Sequence, residues 1–99
     1  MARVLLDLNN PLFQETWFSL DRPETLAVIA TLRKIRQLHW EQLYLDHGLR
    51  WEAILSSSGP KGQRLYSLRV TQRVRAVAYR DGQFLRLLSL HPDHDSAYS

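Results

Sequence analysis

The order of elements in this sequence predicts an α+β domain: a strand, two helices, then an antiparallel β-meander. The two N-terminal helices are expected to pack on one face of a small twisted sheet. Three observations predict it. Apolar residues near the front recur at spacings of three and four behind helix-capping residues. The last third alternates apolar and polar positions at period two, and Asp81-Gly82 sits between two such runs as a hairpin signal. With 99 residues the chain has enough length for one core and too little for two, so residues 1–99 are read as a single domain.

Taken in order, Arg3 to Leu8 is an apolar strand. Asn10-Pro11 starts a helix, with Asn at the cap and Pro in the first turn, where its missing N–H costs nothing. That helix is expected to reach Leu20. Asp21 caps a second helix, and Glu24 at its third position completes a capping box. Val28, Ile29, Leu32 and Ile35 form its apolar stripe, and Arg33, Lys34 and Arg36 load the C-terminal turn that the helix dipole favours. His39 to Tyr44 reads either as a short helix or as a packed loop, closed by Gly48. Trp51 to Ser57 can begin a strand, and Ser56 to Gly62 reads as a flexible loop. Gln63–Val70, Arg73–Arg80 and Gln83–His91 are the strands of the meander. The chain carries no repeat and no Gly-rich phosphate loop.

Composition narrows the function classes. A hydrophobic fraction of 44% with three Trp, four Tyr and three Phe is that of an ordinary globular core. With no cysteine, disulfide frameworks and Cys-based zinc sites are excluded, which suits a reducing cytoplasm. MARVLLDLNN is too short an apolar run for a signal peptide, and no run approaches membrane-spanning length. The net charge of +3 is unevenly spread. Residues 1–60 carry six Lys/Arg against seven Asp/Glu, whereas residues 61–99 carry seven against three, and six of those seven are arginines. An arginine fork suits phosphate or carboxylate oxygens, so the basic third points to an anionic partner or, more blandly, to a solvated surface.

Alternation assigns faces. In the strand from Arg73, the small residues Val74, Ala76 and Ala78 fall on one face, fit for close packing against helices. Arg73, Arg75, Val77 and Tyr79 fall on the other. Arg69 on the preceding strand is expected beside Arg75. Arginines clustered on a sheet repel one another unless anions neutralise them.

The stretch from Leu65 to Tyr98, LYSLRVTQRVRAVAYRDGQFLRLLSLHPDHDSAY, resembles the RelE/ParE superfamily of bacterial type II toxin–antitoxin toxins. One strand ends in Leu-x-Arg, the next carries Arg-x-Arg and runs through small residues to a Tyr, and a hairpin leads to a last apolar strand. A histidine and then a tyrosine follow in the tail. The front of the chain matches only in the order of its elements.

The resemblance implies a cytoplasmic bacterial toxin, an mRNA interferase acting on the ribosome and neutralised by a cognate antitoxin. Its chemistry is attack of a ribose 2′-OH on the adjacent phosphate, with no cofactor and no metal. Carried over residue by residue, Arg69 and Arg75 bind phosphate and Arg73 assists. His94 and Tyr98 exchange protons; Asp93 and Asp95 depart from the family's pattern, in which many relatives carry a basic residue just after the histidine, unless one of the two, Asp93, serves as the base. ParE-type relatives share the fold but poison DNA gyrase, which is the alternative target. Two further readings stay open: a metal site built from His91, Asp93, His94 and Asp95, which Pro92 disfavours by breaking the helix that would align the histidines, and a non-catalytic basic module that holds a protein partner.

Overall fold

The computed structural model describes residues 2–92. The predicted α+β class is observed, and both the short helix offered at His39–Tyr44 and the strand offered from Trp51 form, adding one helix and one strand to the two helices and three-stranded meander. The elements run β1 (Leu5–Asp7), α1 (Pro11–Phe18), α2 (Arg22–Arg36), α3 (Trp40–Leu45), β2 (Glu52–Ser58), β3 (Arg64–Arg69), β4 (Arg75–Asp81) and β5 (Phe84–His91). The five strands form one sheet in the order β1-β5-β4-β3-β2, in which β1 is parallel to β5 and the other pairings are antiparallel. Among the described residues, no helix is long and apolar enough to cross a membrane.

Local chemistry explains each boundary. The Asn10 side chain accepts from the N–H groups of Leu12 and Phe13, and that of Asp21 accepts from Glu24 N–H at 2.9 Å. Each satisfies helix-start donors that have no intrahelical partner. Glu24 departs from the expected box: its carboxylate accepts from the Thr71 hydroxyl at 2.8 Å, tying the start of α2 to the β3–β4 turn. Of the two readings of His39–Tyr44, the helix is the one formed, and Gln42 Oε1 accepts from His39 N–H at 2.8 Å. It stops at Leu45, before Gly48, because the Asp46 carboxylate takes the Leu49 N–H at 3.0 Å and pairs with Lys34 Nζ at 2.9 Å. β1 is shorter than predicted for a similar reason. The backbone around Val4 is engaged with the α2–α3 connection, through Val4 N–H to Leu38 C=O and Trp40 N–H to Ala2 C=O.

Two corrections fall in the meander. Ser56, Ser57 and Ser58 belong to β2 and not to a loop: the strand bulges after Ile54, and Ser58 then pairs with Arg64. The residual turn is closed by Gly59 N–H to Gln63 C=O at 2.9 Å. The hairpin turn is Gly82-Gln83, one residue later than the Asp81-Gly82 signal, because Asp81 pairs with Phe84. Gly82 supplies the positive φ of 60° that a type II′ turn needs at its first central position.

The three helices cover one face of the sheet. Phe13, Val28, Ile35, Trp40 and Leu43 from the helices meet Leu68, Ala76, Ala78, Leu85, Leu87 and Leu90 from the strands, all nearly fully buried. Val74, Ala76 and Ala78 thus face the helices as alternation predicts. The opposite face carries a smaller apolar cluster of Ile54, Leu65 and Val77, with Tyr79 and Leu88 against it. Among the described residues, no helix covers that second face.

Candidate functional site

The uncovered face holds the basic residues at one end. Arg69 on β3 pairs with Arg75 on β4, and Arg75 pairs in turn with His91 on β5. Directly opposed residues of antiparallel strands project to the same side, with Cβ atoms about 5 Å apart. Arg69, Arg75 and His91 therefore form one row across three strands. The next row is Ser67, Val77 and Ser89. The predicted neighbourhood of Arg69 and Arg75 is observed as a register pair. Arg75 is less open than the image of an arginine face suggested. It is 8% exposed, because it sits in the middle strand with neighbours on both sides, whereas Arg69 is half-buried.

His91 reaches this row through a β-bulge. Strict alternation from Leu85 and Leu87 would send Ser89 and His91 toward the helices. The register instead shifts between Val77 and Ala78, so that Ala78 pairs with Leu87 but Val77 pairs with Ser89. Leu88 is the extra residue, and it packs on the open face while Leu90 returns to the helix side. Bulges re-aim side chains in this way. The signal is present in the sequence as a phase slip, with core leucines at 85, 87 and 90, and the period-two reading passed over it.

The other predicted residues are placed differently. Arg73 lies before β4 begins, in the turn after Val70, and is exposed beside Asp21 and Glu24 at the start of α2. Alternation along β4 therefore does not set its direction. Asp93, His94 and Tyr98 lie outside the described residues, as does Asp95 of the metal-site reading. Arg86 and Arg80 are engaged away from this row. Arg86 is held between Asp7 at 2.6 Å and Asp81 at 2.9 Å. Asp7 is correspondingly held below the ordinary carboxylate range, first by the Asn9 backbone N–H and then by Arg86. Arg80 lies over the Trp40 ring at 4.4 Å.

His91 is half-buried, and its Nε2 shares a hydrogen bond of 2.9 Å with the Ser89 hydroxyl. Burial lowers its pKa from the ordinary 6.5, since a low-dielectric setting disfavours the charged ring. The imidazole is therefore neutral, and able to accept a proton, near pH 7. The folded state binds this proton less readily than the unfolded chain. His91 thus contributes stability that is fully present above pH 6.5 and is lost as pH falls through the lowered folded value. The urea midpoint is expected to decline below pH 6.5, His91→Asn should flatten that part of the decline, and an NMR titration should place the His91 midpoint under 6.5. A midpoint at or above 6.5 would contradict the assignment.

No protein-family model matches the chain, and no curated protein matches it. Among solved structures, a copper-bound mutant toxin from Helicobacter pylori is similar at a TM-score of 0.49 and 22% identity, over 97% of this chain and 98% of that one. What the site does has to be read from its own side chains.

Proposed function

We propose that the chain is the toxin of a bacterial type II toxin–antitoxin pair, and that it cleaves mRNA on the ribosome by metal-independent attack of a ribose 2′-OH. The observation that carries this reading is the row of Arg69, Arg75 and His91: two guanidiniums and a neutral imidazole side by side on the sheet face opposite the three helices. The order of residues from Leu65 to Tyr98 supports it by resemblance to the RelE/ParE superfamily.

In this reaction the 2′-oxygen bonds to phosphorus and the bond to the 5′-oxygen breaks. The products are a 2′,3′-cyclic phosphate and a free 5′-hydroxyl. A base takes the 2′-OH proton, an acid gives one to the departing oxygen, and cations hold the charge that builds on the phosphoryl oxygens. Arg69, the more exposed guanidinium, contacts the phosphate, with Arg75 behind it. His91 is the base the sheet supplies. The tail supplies the acid from His94 or Tyr98, and Asp93 is the rival base. An acidic antitoxin segment laid over the same row would block it.

The test is controlled expression of the chain alone, with primer extension on cellular mRNA. Growth arrest with cuts inside codons, cyclic-phosphate ends and activity that survives EDTA is the expected result. Normal growth with abundant folded protein would reject a toxin. Filamentation with DNA damage and intact mRNA would reassign the target to gyrase.

A further inference from the structure

The helix-side rim of the sheet carries a second polar concavity, unrelated to the arginine row. Tyr44 of α3, Trp51, and Gln63, Arg64 and Tyr66 at β3 surround an open cavity of about 460 Å³ together with Arg80 of β4. Tyr66 pairs with Ala78, which faces the helices, so this basin and the row of Arg69, Arg75 and His91 lie on opposite sides of the sheet.

The basin is held rigidly from below. Trp51 and Tyr66 stack with centroids 4.4 Å apart and planes at 17°, and Trp51 meets the buried Trp40 edge-on at 5.7 Å. Arg80 spans the pile. It lies 4.4 Å over Trp40 and donates to the Tyr44 hydroxyl at 2.7 Å and to the Gly82 carbonyl at 2.8 Å. Core packing accounts for Trp40. Trp51 also lies against the core cluster, but core packing does not account for the ring surface that stays open, since Tyr44 is 44% exposed and Trp51 and Tyr66 are only half-buried around open space. Two arginines line that space and no carboxylate does. Among the described residues Arg64 makes no ion pair. Aromatic surface beside uncompensated positive charge fits a flat, electron-rich ring that carries an anion.

We propose that this basin binds one nucleobase with its phosphate, the base stacking on the Trp51–Tyr66 pair and the phosphate held by Arg64 beside Arg80. Stacking of this kind accepts any base, because every base has a π-face. The nucleotide has two possible sources, a free nucleotide or an unpaired position in an RNA strand. Neither requires the arginine row to cleave anything.

The full chain is titrated with adenosine 5′-monophosphate and, separately, with a short labelled single-stranded RNA, following tryptophan fluorescence and RNA anisotropy. Quenching by the mononucleotide is expected if free nucleotides are the ligand; quenching by the RNA alone identifies a strand position. In either case Tyr66→Leu should weaken binding by about 5- to 100-fold. Arg64→Glu, on an exposed side chain whose loss cannot unfold the domain, should weaken it as well. Arg69→Ala should leave the quenching by the mononucleotide intact, which separates this site from the arginine row. Absence of quenching by both probes, or wild-type binding by both the Tyr66→Leu and Arg64→Glu variants, would overturn the proposal.

Discussion

Arg69→Ala is expected to reduce mRNA cleavage by about 10²- to 10³-fold, the usual cost of removing one fixed donor from a developing oxyanion. Thermal unfolding should barely move, because Arg69 is half-buried at the end of β3 and contributes little to either core cluster. Arg69→Lys keeps the charge but loses the planar fork, so it should recover only part of the activity. Arg75→Ala is the instructive contrast. Arg75 is 8% exposed, so its truncation should lower activity and stability together. Rates of single-turnover cleavage, set beside urea midpoints for the same variants, separate the two effects. Full cleavage by Arg69→Ala would remove the phosphate role from the row.

Trp40→Ala should be the most damaging single truncation to folding, at about 3–5 kcal/mol. A domain of this size has only about 5–15 kcal/mol in total, so the variant should sit near the edge of stability. Trp40 is 1% exposed and joins three parts of the molecule. Its ring packs against Tyr44 and Trp51, the Arg80 guanidinium covers it, and its Nε1–H donates to Gln83 C=O in the β4–β5 turn at 3.0 Å. Trp40→Phe keeps most of the ring but drops the hydrogen bond; Gln83 C=O keeps its second donor, Leu5 N–H at 3.0 Å, so the change should cost about 0.5–1.5 kcal/mol. Denaturant unfolding of both variants checks the order. A Trp40→Ala protein within about 1 kcal/mol of the parent would mean that α3 and the hairpin are not held through this ring.

Much of the architecture follows from local chemistry written in the sequence. Asn10-Pro11 and Asp21 start α1 and α2 because a side-chain oxygen takes the first helix N–H groups whatever lies beyond. The alternation of Val74, Ala76 and Ala78 set the face of β4, since a pleated strand allows only two sides. The same rule placed Arg69 and Arg75 on one side of the sheet before any register was known. Tertiary structure decided what depends on a partner strand or a distant donor. Glu24 turned to Thr71, 47 residues away in sequence, in place of its own helix cap. The serine run after Ile54 became strand because Arg64 was there to pair with Ser58. The position of His91 was settled in the same manner. One extra residue at Leu88 reverses the facing of everything after it, and a bulge forms only where two strands fix their register against each other. Alternation read along β5 alone sends His91 toward the helices; paired with β4, it stands beside Arg75 on the open face.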